Sequence, residues 1–102
     1  MDKKYNIESL PVKYRRDINE AIRILTQEGC KEIYLFGSLV NGDSTDKSDI
    51  DLAVTGIRKE DFFDIFGELI LSLEHPVDLI NLDKKSRFIT LLKERGKLVR
   101  VA

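Results

Sequence analysis

The run Asp49-Ile50-Asp51-Leu52-Ala53-Val54 constrains the architecture of this chain more than any other stretch. Ile50, Leu52 and Val54 alternate with Asp49, Asp51 and Ala53, and a period of two puts the aliphatic side chains on one face of a strand and both carboxylates on the other. Such a strand needs a sheet with one face covered by apolar neighbours and the other left accessible. Asp is depleted in strands, because its short polar side chain competes for local backbone bonds and packs poorly. Two in one short strand therefore need a physical reason.

Two carboxylates at about 4 Å repel by about 1 kcal/mol at a water-like dielectric and about 4 kcal/mol at a surface-like one. A bound cation turns that repulsion into attraction. Mg²⁺ fits best, since it accepts one or two carboxylates and fills its remaining positions with water and phosphate oxygens.

The preceding predicted strand, Glu32-Ile33-Tyr34-Leu35-Phe36, runs directly into Gly37-Ser38. Glycine lets the backbone approach a ligand, and a short helix starting at Ser38 aims unpaired N–H groups at an anion such as a triphosphate. Asn41-Gly42-Asp43-Ser44 reads as a turn leading to Ser48-Asp49. A further strand is predicted in His75-Pro76-Val77-Asp78-Leu79-Ile80-Asn81, opened by proline. Asp78 lies between Val77 and Leu79 and faces away from them. If this strand pairs with the Asp49–Val54 strand, Asp78 joins Asp49 and Asp51 on one face, and two metals could be bridged for in-line displacement at phosphorus.

The remaining pattern is helical. Ile18, Ala21, Ile22 and Leu25 recur at i, i+3, i+4 and i+7 after Ser9-Leu10-Pro11. A second helix is expected from about Lys59 to Leu73, with Phe62, Phe63, Phe66, Leu69 and Ile70 in a wide apolar stripe. A last helix from about Lys85 to Arg95 ends at Gly96. The expected order is α-β-α-β-α-β-α: one small α/β domain over residues 1–102, a mixed sheet with helices on its aliphatic face and an open Asp face.

A chain of 102 residues, 42% hydrophobic, is long enough for one core and too short for two domains. The net charge of −1 argues against nucleic acid as the direct acceptor, and no apolar run has the length of a membrane span. Basic Met1-Asp2-Lys3-Lys4 has no apolar segment behind it and Cys30 has no partner cysteine, so a cytoplasmic protein is expected. Charge is segregated: Asp43 to Asp83 holds eleven acids and three bases, whereas Lys84 to Ala102 holds seven bases and one acid. Two solvated faces account for this; alternatively the basic tail meets phosphate or an acidic partner, with Arg87 its best candidate. His75, without nearby Cys or His, reads as a surface or turn histidine, and the phenylalanines read as core rather than as a base-stacking platform.

Gly37-Ser38, ten residues, Asp49-x-Asp51 and a later lone Asp78 in a strand resemble the signature of the polymerase β-type nucleotidyltransferase superfamily. The similarity is greatest to its minimal nucleotidyltransferases, often paired with a HEPN-domain protein in toxin–antitoxin systems. The resemblance implies a polymerase β-like fold, Mg²⁺, a nucleoside triphosphate, and nucleotidyl transfer with loss of pyrophosphate. Asp49 and Asp51 would hold both metals, Gly37 and Ser38 would anchor phosphates, and Asp78 would complete one metal shell and serve as base. The chain departs from the family pattern in one respect: Leu39 and Asn41 stand where such proteins commonly carry arginines, and neither offers arginine's charged bidentate grip. Two functions follow, an adenylyltransferase using ATP on a hydroxyl such as tyrosine's of a HEPN-type partner, and a binding module of the same fold that neutralises a partner by masking it. Oligomeric state is left open.

Overall fold

A computed structural model describes residues 5–41 and 49–102. The expected turn through Gly42 to Ser48 lies outside the described residues. After a 3-10 turn at Ile7–Ser9, helix α1 spans Val12–Gln27, strand β1 Glu32–Phe36 and the short helix α2 Ser38–Asn41. Strand β2 follows at Ile50–Thr55, a 3-10 turn at Lys59–Asp61 leads into α3 (Phe62–Ser72), and β3 (Val77–Asn81), α4 (Arg87–Arg95) and β4 (Val99–Arg100) complete the chain. The sheet order is β3-β2-β1-β4, with β1 antiparallel to β2 and β4 and with β2 parallel to β3. Helix α3 is the crossover that a parallel pair requires.

The main core forms where the period of β2 meets that of the helices. Ile50, Leu52 and Val54 pack with Tyr14, Ile18, Leu25 and Leu69, all of them buried. Each such side chain contributes about 1.5–3 kcal/mol by leaving water. Helices α1 and α3 thus cover the aliphatic face, as expected. Helix α4 departs from the one-sided arrangement and packs on the opposite face, where Ile89 joins Ala53 and Leu82, with Tyr34, Phe36, Ile80 and Leu92 partly buried beside them. The reason lies in β2: Ala53 occupies the Asp face with a single methyl, leaving room for a helix that must bury Ile89 and Leu92. Among the described residues the Asp face is therefore covered around Ala53 and only partly covered around Asp51.

Strand β4 was not expected. Two residues are too short to show periodicity, yet Val101 N–H donates to the Ile33 carbonyl at 2.8 Å and Ile33 N–H to the Ala102 carbonyl at 3.0 Å, extending the edge of the sheet.

Candidate functional site

Register brings two of the sequence-identified residues, Asp51 and Asp78, side by side. In the parallel β2–β3 ladder Asp51 is the direct neighbour of Asp78, and on its other side it faces Phe36 across the antiparallel β1 ladder. Adjacent strands lie about 4.8 Å apart, and the alternation of both strands places the two carboxylates on one face. Asp49 sits immediately before β2 and is exposed. Asp78 is also exposed, and its Oδ1 accepts a hydrogen bond from the Leu79 N–H at 3.0 Å.

Gly37 lies against Asp51. Its φ is +79°, in the left-handed region, and a Cβ added there would stand 2.2 Å from Asp51 Oδ2. Only glycine satisfies both constraints, so the backbone reaches the carboxylate directly. The Gly37 carbonyl accepts from Val40 N–H at 3.1 Å and Asn41 N–H at 3.0 Å, which starts α2, and the N–H groups of its first turn have no partner within the helix. Leu39 and Val40 are buried in the main core, whereas Asn41 is exposed. Of the two positions lacking an arginine, then, only Asn41 could present a side chain to solvent.

Burial pushes the Asp51 carboxyl above its ordinary range, and the charges of Asp78 and Asp49 push it further. The shift reports the Asp51 carboxyl in the field of two neighbouring carboxylates. The donor set consists of hard oxygens, and glycine at 37 sets no Cβ against Asp51 Oδ2; both fit Mg²⁺, which takes few protein ligands. Among the described residues no group of three His, Cys, Asp or Glu side chains is already drawn together as a metal cage.

One pair of residues was missed by sequence reasoning. Asp17 on α1 is 2% exposed and accepts from Glu74 N–H at 3.0 Å, His75 N–H at 2.8 Å and the His75 ring Nδ1 at 2.7 Å. His75 is in a turn, as expected, but it is not a surface residue: its side chain is 17% exposed and its ring lies 4.5 Å from that of Tyr14. Burial pushes the Asp17 carboxyl up, yet the hydrogen bonds from Glu74 and His75 outweigh it and hold the group below the usual carboxylate range. This clasp fixes the turn that opens β3, three residues before Asp78. The signal was present in α1, where Asp17 shares the buried phase of Tyr14, Ile18 and Ala21.

The arrangement is that of a nucleotidyltransferase domain. The sequence model of the family described as Polymerase beta, Nucleotidyltransferase matches residues 19–100, most of the chain, and the chain belongs to that family. No curated protein matches the sequence. Among solved structures, a toxin–antitoxin with AMP-PNP is 29% identical, with a TM-score of 0.63 over 78% of this chain and 69% of that one. The MntA-HepT toxin–antitoxin is 26% identical, with a TM-score of 0.59 over 82% and 69% of the two chains. A structure described as a minimal nucleotidyltransferase is 20% identical, with a TM-score of 0.61 over 91% and 95%, and speaks to the fold alone.

Proposed function

We propose that this chain transfers AMP from ATP to a hydroxyl, such as tyrosine's, on a HEPN-type partner protein, and so acts as the antitoxin of a toxin–antitoxin pair. The observation that carries this reading is the placement of Asp51 and Asp78 side by side on one face, against the Gly37 turn. The similarity to structures of toxin–antitoxin complexes, one of them with AMP-PNP, supports the nucleotide and the kind of partner.

In this mechanism Asp49 and Asp51 would hold Mg²⁺, and Asp78 would complete the set. The metal would supply positive charge to offset that on the phosphate oxygens. The Ser38 hydroxyl and the N–H groups opening α2 bind the outer phosphates. The exposed Asp78 carboxylate takes the proton of the incoming hydroxyl, whose oxygen forms a bond to the α-phosphorus as the bond to pyrophosphate breaks. Asn41 beside this turn is neutral, and that observation favours a second reading, a masking module that binds nucleotide weakly.

Intact-mass measurement of a co-purified partner, with Mg²⁺ and ATP, tests both. An added adenylyl group that disappears in Asp51→Asn, with turnover falling at least about 100-fold, or about 2.7 kcal/mol in barrier, is expected. Stable association with no mass change would establish masking instead.

A further inference from the structure

Only two of the chain's five phenylalanines are exposed, and both line the same cleft. Phe63 of α3, expected in the core, is 80% exposed, and Phe88 of α4 is 56% exposed. Their helices lie on opposite faces of the sheet, and the cleft, of about 640 Å³, runs between them around Leu79, Ile80 and Asn81 of β3. Phe62 backs Phe63 edge-on, with ring centroids 5.4 Å apart. A lone exposed phenylalanine is ordinary, but two lining one cleft make a patch of the kind that marks a binding surface.

Three exposed lysines, Lys59, Lys84 and Lys85, also line the cleft. Among the described residues none of their ammonium groups is paired with a carboxylate. The acids nearest in sequence are engaged elsewhere: Glu60 and Asp61 lie against Arg58 at 3.2 and 3.8 Å, and Asp83 accepts from Gly56 N–H at 2.8 Å. The cleft is thus apolar within and net positive at its rim, in a chain whose net charge is −1. Its complement is an apolar surface flanked by carboxylates.

The backbone narrows the form of that complement. An edge strand ordinarily invites a second strand. Here, however, Leu79 N–H is already donated to Asp78, and the Asn81 carbonyl already accepts from Lys84 N–H at 3.2 Å. An extended segment would find its backbone groups unmatched, whereas a helix satisfies its own and offers only side chains. A nucleic acid strand would suit the two rings, but its phosphates would meet Asp78, two positions before Ile80, and Asp51 beside it. Asp78 and Ile80 share a face of β3 and stand about 7 Å apart along it, so the cleft opens next to the carboxylates.

Given the transfer to a partner protein proposed above, we infer that this cleft seats one amphipathic helix of that partner, its apolar side chains between Phe63 and Phe88 and its acidic residues against Lys59, Lys84 and Lys85. A hydroxyl one helical turn from the inserted side chain, about 5.4 Å, is then carried toward Asp78.

Photo-crosslinking within the co-purified complex of the full chain tests this. With benzoylphenylalanine in place of Phe63 or Phe88, mass spectrometry should put both crosslinks on one segment of the partner, with apolar residues at helical spacing and acids beside them. Phe88→Ala should weaken the complex at least about tenfold, and so should Lys84→Glu with Lys85→Glu, which should also flatten its salt dependence. Circular dichroism confirms that each variant is folded. Crosslinks to such a helix without an added adenylyl group would uphold the docking and remove the chemistry. Adenylylation with no crosslink, or with crosslinks to a different kind of segment, to a second copy of this chain or to RNA, would overturn the docking alone. A complex indifferent to Phe88→Ala and to the charge reversals would do the same, and a chain that co-purifies with no protein would overturn both.

Discussion

Asp17 and Asp51 are the same residue placed in opposite circumstances. Asp17 is the more deeply buried, yet three donors from Glu74 and His75 converge on it and its carboxyl is held below the ordinary range. Asp51 is only partly buried, but its charged neighbours are Asp78 and Asp49, and its carboxyl is raised. Burial opposes ionisation at both sites, so the partners decide the sign. A carboxylate surrounded by donors is complete within its own chain, whereas one surrounded by carboxylates is complete only with something that arrives from solution.

The sharpest way to break this contrast is to truncate each side. Asp17→Ala leaves two backbone N–H groups and a histidine ring without their acceptor, and should cost about 3 kcal/mol of stability, a fall in Tm on the order of 15 °C. A loss below about 1 kcal/mol in denaturant titration would mean that the clasp is dispensable. The pH dependence has a definite sign. Because the folded carboxyl is depressed, the Asp17 contribution is present above the unfolded value of 3.8 and is lost as pH falls through the folded pKa, so the gap between wild type and Asp17→Ala should close in acid.

Gly37→Ala comes next. The left-handed φ and the collision with Asp51 should together cost about 2 kcal/mol, and Asp51→Ala in the same chain should recover the part due to the collision. Strictly additive losses in that double-mutant cycle would show that the two residues do not press on each other.

The smallest effect has the opposite sign. Asp51→Asn should stabilise the metal-free protein by about 1 kcal/mol at neutral pH, because it removes one charge from a repelling group. For a carboxyl whose folded pKa is raised, ionisation costs stability as pH climbs above the unfolded value of 3.8, so the advantage of Asp51→Asn should shrink as pH falls toward that value. Thermal melts at neutral and acid pH check both the sign and its trend, and a variant less stable than wild type at neutral pH would contradict the contrast with Asp17.

Local pattern was enough for much of the fold. The boundaries of β1, the alternation in β2, the stop of α4 at Gly96 and the shared face of Asp51 and Asp78 were all legible, because each rests on a period or on a residue with one dominant backbone preference. Features set by distant partners were not. His75 finds Asp17 from 58 positions away, and nothing beside it in sequence announces the match. Val99–Arg100 is a strand only because β1 has an edge to offer, and α4 crosses to the Asp face because Ala53 leaves space there. The Gly-Ser turn was expected to bring the backbone close to a ligand, and the close approach in the structure is to Asp51; the burial of Leu39 depends on the shape of the core and could not be read from the turn itself.

The crowding around Asp51 has a bearing on how such a chain can change over generations. Substitutions that neutralise Asp49, Asp51 or Asp78 abolish the proposed chemistry while easing the strain of like charges, so inactive descendants would stay folded and could become sturdier. Loss of Asp17 offers no such route. Natural variation should therefore erode the carboxylates of the sheet face more readily than the buried clasp, and a lineage could pass from modifying its partner to merely holding it without crossing an unfolded intermediate.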